Sequence, residues 1–262
     1  MGIGMKTAKQ IKKPNLGFFV SLVAIIAFFL LWEWASRSGA VDSQFVPPVS
    51  KVLGDAWALL LNGTLPIHIL SSLARLFAGL GLAIALGIPL GFLLGGWAPK
   101  LAGFIRPLLM NLSMLNPFAL IPVFMLLLGI GEASKVGIIF WVLIWPILFA
   151  TASGVMQIDP AVVSIARSMG AGGIKIFFDI IVPGTINRVF TGLKSALTLG
   201  FIVLLSAEMV GAKSGLGWLV FNSNKNYNIT RLYVGILFVA VIGFLLSVGI
   251  DKLQKNIVVW EE

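Results

Sequence analysis

Apolar residues along this chain gather into runs near twenty long, the length a helix needs to cross a hydrocarbon core about 30 Å thick. Six such runs predict spans at 16–35, 68–96, 106–129, 136–157, 192–212 and 231–251, the fifth interrupted by Glu208. Two connections are long enough to do more than turn the chain. In the first, 36–67, Pro47-Pro48 precedes Val52, Leu53, Ala56, Trp57 and Leu60, a pattern that predicts an amphipathic helix lying on the interface. The second is 157–191. Within the second span Gly79, Ala83, Gly87, Gly91 and Gly95 recur every four residues and place small side chains in one stripe where another helix can approach closely. Pro89 should bend that span, and Pro107, Pro117 and Pro122 in the third free carbonyls that must be buried in protein or face water. The fold class is all-α membrane protein with six transmembrane helices.

The first run imitates a secretory signal, with Lys6, Lys9, Lys12 and Lys13 ahead of it. It is longer than the usual apolar region of such a signal, no convincing small-x-small site follows it, and Trp32 and Trp34 at its end suit an interfacial anchor. It reads as an uncleaved span.

Composition agrees: 58% of the 262 residues are hydrophobic and 11% charged, and the mean hydropathy is +1.02. The formal charge of +9 is spread between apolar runs with no basic helix or aromatic-basic platform, which excludes nucleic acid. Its distribution sets orientation instead. Twelve of the 19 lysines and arginines flank the spans on one side, six on the other, and Arg75 lies within the second span, so both termini are expected in the cytoplasm. The expected layout is a tail at 1–15, a permease domain at 16–251 with a cytoplasmic connection at 157–191, and a second tail at 252–262.

Catalytic chemistry finds little material. Without cysteine there is no disulfide framework, thiolate metal site or Cys nucleophile, and the single histidine, His68, reads as an interfacial residue at a helix start. Gly211-Ala212-Lys213-Ser214 lacks the glycine before the lysine that a phosphate loop requires. No metal site and no catalytic residue is expected. The intramembrane charges Arg75 and Glu208 each cost about 2.5–3.5 kcal/mol if unpaired in lipid, and at comparable depths they suit a salt bridge between helices. The alternative is that Arg75 stays partly free and attracts a small anion at an external vestibule. Asn111, Ser113 and Asn116 fit either a lining of the path or hydrogen bonds to neighbouring spans.

The connection at 157–191 reads Ser164-Ile165-Ala166-Arg167-Ser168-Met169-Gly170, then nine residues, then Ile180-Ile181-Val182-Pro183. This resembles the coupling loop of ABC importer permeases, whose pattern is Glu-Ala-Ala, three residues, Gly, nine residues, Ile, one residue, Leu and Pro. Gly170, Ile180 and Pro183 match, Val182 stands in the Leu place, and Ser164 and Ile165 depart from Glu and Ala. Ser72-Leu73-Ala74-Arg75, Gly87-Ile88-Pro89-Leu90-Gly91, Ile121-Pro122, Gly129-Ile130-Gly131-Glu132, Ala207-Glu208-Met209 and Ser214-Gly215-Leu216-Gly217 are similar to the branch for nitrate, sulfonate, taurine and bicarbonate. The resemblance implies a type I (MetI-like) permease fold in the inner membrane, a homodimer, two cytoplasmic ATP-binding subunits that hold ATP and magnesium, and an external binding protein. It makes Ser164 to Ala171, with Pro183, the ATPase-coupling segment: Ile165 and Met169 as apolar anchors, Arg167 at the rim, Ala166 and Ser168 between them. The chain itself would need no cofactor. The implied solute is a small oxyanion or sulfonate; a heterocyclic vitamin precursor is the alternative within the branch, and a secondary transporter the alternative outside it.

Overall fold

A computed structural model describes residues 16–97 and 99–257; the expected tail at 1–15 and the end of the one at 252–262 lie outside them. Among the described residues the chain is wholly helical. In order come α1 (Leu16–Arg37), α2 (Val49–Leu61), α3 (Thr64–Phe92, widening into a π turn at Leu93–Trp97), α4 (Pro99–Ser113), α5 (Pro117–Leu128) and α6 (Glu132–Met156). They are followed by α7 (Pro160–Ser168), the short α8 (Gly173–Ile176), a second π turn at Phe177–Ile181, α9 (Val182–Met209), α10 (Leu216–Lys225) and α11 (Ile229–Ile257).

α6 lies at the centre, with α3 on one side and α9 on the other. Small residues make this possible. A Cβ on Gly79 would lie 2.6 Å from Ile139, one on Gly91 2.5 Å from Thr151 and one on Gly95 2.7 Å from Val155, so the expected stripe on α3 is the surface that admits α6. On the other side Gly192 meets Ala150 and Gly200 meets Leu143 in the same way. Ile139, Leu143 and Ile147 of α6 are fully buried between them. In a membrane, where lipid is as apolar as leucine, such close approach supplies the packing that exclusion from water supplies elsewhere.

Among the described residues four helices are long and apolar enough to cross a membrane: Thr64–Gly96, Glu132–Met156, Gly173–Met209 and Ile229–Asn256. α1, 22 residues long, matches the first expected span. Its C-terminal end is tied by the Trp32 indole N–H to the Pro47 carbonyl at 3.1 Å and by Ser36 to the Val46 carbonyl at 2.7 Å. α2 is the expected amphipathic helix, burying Val52, Ala56 and Leu59.

Two expectations about spans need correction. The third run is not one straight crossing: its two halves, Ala102–Ser113 and Pro117–Leu128, meet at 95°. The break falls where the Asn116 side chain caps α5 by accepting from the Phe118 N–H at 3.0 Å and Pro117 opens the helix without an N–H to satisfy. The fifth helix starts ten residues earlier than hydropathy implied, at Val182, so the free connection after α6 is correspondingly short. Pro183 stands in the first turn of α9, where a missing N–H is harmless.

Candidate functional site

At the end of α9 away from α7, a polar cluster is buried among the helix ends. Glu208 is fully buried on α9, and Arg75 is 4% exposed on α3. The guanidinium donates to Glu208 at 2.7 Å, to the Ser214 carbonyl at 2.7 Å, to the Ser214 hydroxyl at 3.2 Å and to Glu132 through Nη2 at 2.8 Å; its Nε completes a two-pronged pairing with Glu132. Five N–H groups therefore meet five acceptors. Arg75 and Glu208 form an ion pair between spans, and Arg75 has no donor left to attract an anion.

Glu208 is satisfied as fully. Besides Arg75 it accepts from the Ser72 hydroxyl at 2.8 and 2.9 Å and from the Gly217 N–H at 2.9 Å. Ser72 in turn accepts from the Leu216 N–H at 2.8 Å, and His68 Nδ1 from the Gly215 N–H at 3.1 Å, with its ring stacked on Trp218. His68 is thus a buried member of this network, one turn inside α3, rather than an interfacial residue at its start. His68, Ser72 and Arg75 lie along one face of α3 and together hold the turn that opens α10. Lys135, 2% exposed, donates to the Gly131 carbonyl at 2.9 Å and lies 3.9 Å from Glu132, so two cations and two carboxylates balance. Among the described residues no group of histidine and acidic side chains is placed to hold a metal.

Sequence reasoning found the pair and missed Glu132, Ser72, His68 and the turn at 214–217. The signal was present. The segments Ser72 to Arg75, Gly129 to Glu132, Ala207 to Met209 and Ser214 to Gly217, each noted for its resemblance alone, converge on this one cluster.

Among the described residues Asn111, Ser113 and Asn116 make no side-chain bond to a neighbouring span. Ser113 donates to the Met110 carbonyl at 2.7 Å, Asn116 caps α5, and Asn111 is exposed, its carbonyl accepting from the Met114 N–H. They shape the break between α4 and α5. Beside it lies a mostly apolar cavity of about 530 Å³ whose walls include Ser113, Phe118, Trp141, Trp145 and Ile202.

At the other end of α9 stands α7. Asp159 caps its start by accepting from the Ala161 N–H at 2.8 Å. At its end the Gly170 N–H donates to the Arg167 carbonyl at 2.9 Å and the Ala171 N–H to the Ala166 carbonyl at 3.0 Å. This paired cap requires a left-handed residue, and Gly170 has φ +83°. Ser164 and Ser168 bond carbonyls of their own helix, at Pro160 and Ser164. Nothing in α7 is buried: Val162, Ile165 and Met169 fall on one face, 45%, 61% and 83% exposed.

Residues 87–259, about two thirds of the chain, match the family described as binding-protein-dependent transport system inner membrane component. The chain belongs to this family. It is therefore an inner-membrane permease, and its similarities to known proteins are of the same kind. The putative aliphatic sulfonates transport permease protein of Escherichia coli is 31% identical over 240 residues, covering 91% of this chain and 89% of that one. The taurine transport system permease protein of the same organism is 27% identical, with 92% and 89% covered. The nitrate import permease protein of Synechocystis is 28% identical, with 96% and 95% covered. Among solved structures, an inward-facing conformation of the MetNI methionine ABC transporter superposes with a TM-score of 0.65 at 18% identity, covering 73% of the permease and 95% of that chain. The expected type I permease fold is the fold observed.

Proposed function

We propose that the permease, paired with a second copy, forms the path of an ATP-driven importer for a small oxyanion or organosulfonate. α7 is the element that receives the stroke of two cytoplasmic ATP-binding subunits, which hold the ATP and magnesium. The observation that carries this reading is the exposed apolar face of α7. Val162, Ile165 and Met169 project from a nine-residue helix fixed at both ends and covered by nothing in the described chain. Apolar anchors on a rigid helix suit insertion into a groove of a soluble partner. The solute class is supported by the relatives named for aliphatic sulfonates, taurine and nitrate. A helix broken at membrane depth is tolerated where it lines a cavity or is buried in protein, which supports the α4–α5 break as a wall of the path.

The test is purification of the tagged chain in mild detergent with its ATPase assayed. The double substitution Ile165→Asp and Met169→Glu is expected to strip the ATP-binding subunits and abolish uptake while leaving the permease in the membrane. Retention of those subunits at wild-type stoichiometry would remove α7 from the coupling role.

A further inference from the structure

α10 ends in the same paired cap as α7. The Tyr227 N–H donates to the Asn224 carbonyl at 3.0 Å and the Asn228 N–H to the Ser223 carbonyl at 2.9 Å. In α7 the left-handed residue of this cap is Gly170; in α10 it is Tyr227, at φ 55°, and among the described residues no other non-glycine has positive φ. A Cβ in that conformation crowds the neighbouring carbonyl, and the burden is greatest for a bulky side chain. Nothing inside the molecule compensates for it. Tyr227 is 88% exposed, and among the described residues its ring and hydroxyl have no partner. Strain of this kind persists where a side chain is wanted for contact with something else.

The surroundings indicate what that is. Phe221 is 46% exposed midway along α10, and Asn224, Lys225 and Asn226 are exposed next to Tyr227. The stretch 210–231 carries Lys213, Lys225 and Arg231 and no carboxylate, and all three cations are exposed and outside any ion pair among the described residues. An aromatic held out among asparagine amides is the composition of a protein-binding surface. Asparagines at 222, 224, 226 and 228 are costly in hydrocarbon. Lys225 beside the apex and Arg231 just after it favour an acidic partner.

We infer that the tip of α10, with Tyr227 at its apex, is the docking surface for an external solute-binding protein of acidic face. The inference rests on the importer reading, which places this end of α9 outside. It also gives the buried cluster a task. The N–H groups of Gly215, Leu216 and Gly217 at the base of α10 are held by His68, Ser72 and Glu208, so a load on the tip passes directly to α3 and α9.

The test places a photo-crosslinking benzoylphenylalanine at position 227 in intact cells. An adduct with a solute-binding protein, identified by mass spectrometry and absent when the probe replaces Trp57 of α2, an exposed aromatic elsewhere on the chain, is expected. That protein is then titrated against the permease with its bound ATP-binding subunits in nanodiscs. Tyr227→Gly, which suits the cap better, is expected to weaken docking by at least about tenfold, the loss typical of a central aromatic contact. Its melting temperature should equal or exceed that of the unsubstituted complex. A lipid adduct alone, or an affinity within about twofold of the original, overturns the docking assignment. ATP-binding subunits still present on α7 would then leave the importer reading standing, whereas their absence condemns that reading and the crosslink decides the docking by itself.

Discussion

Arg75 shows how a single side chain is made compatible with a membrane. It is accompanied by enough acceptors to use every N–H, and the group opposite, Glu208, is fully buried. Removing one partner of such a pair leaves the other as an uncompensated charge, which costs about 3–5 kcal/mol. Arg75→Met is therefore expected to lower the thermal unfolding temperature sharply in detergent. Adding Glu208→Gln, which removes the charge but keeps an acceptor for Ser72 and Gly217, should recover part of that loss. Equal melting temperatures for the single variant and the parent would show that the cluster is not structural. The charged pair was legible in the sequence because a lone cation and a lone anion within apolar runs have few other ways to be satisfied. Glu132 was overlooked although its segment had been noted, since it sits at a helix start where an acidic residue needs no special explanation.

Helices are joined here by what their surfaces lack. Gly91→Leu would drive a side chain into Thr151 and the Leu148 carbonyl, and overpacking of this kind costs about 1–3 kcal/mol. Gly103→Leu, where nothing lies within 4 Å, serves as the neutral control in the same melting experiment. At α7, Gly170→Val forces a β-branched residue into a left-handed cap at a cost of about 1–2 kcal/mol. It should uncouple ATP hydrolysis from uptake in vesicles while the permease stays folded; normal uptake would count against the cap. Ser113→Trp should fill the cavity beside the α4–α5 break and cut uptake without displacing the ATP-binding subunits. Apolar runs announced most spans within a few residues, because hydropathy reports what lipid demands. The early start of α9 was hidden, since the polar Thr185, Asn187 and Arg188 lower the hydropathy of its first turns. The break was hidden too, because several prolines in that run suited a bend and only Asn116-Pro117, a side-chain cap followed by a residue without an N–H, marks the place.

For the whole molecule, α6 clamped between α3 and α9 makes a slab whose upper corner is pinned by the Arg75 cluster, while α7 and α10 stand at opposite ends of α9. That pinning has a history in time. The carboxylates that pair with Arg75 lie 57 and 133 residues later in the chain, so the ribosome delivers the cation well before its counterparts. At roughly 5–20 residues per second, α3 waits several seconds or more with its arginine unmatched. Arg75 follows the start of α3 by eleven positions, about 16 Å at the helical rise. Side chains on a helix tilt toward its N-terminus, so the nascent guanidinium can reach for the lipid headgroups until Glu132 and then Glu208 arrive. A chain truncated before Glu132 should accordingly integrate α3 less completely than the same fragment carrying Arg75→Leu, measured by glycosylation mapping in microsomes. The full chain should show no such difference, because by then the borrowed headgroup has been exchanged for carboxylates of its own.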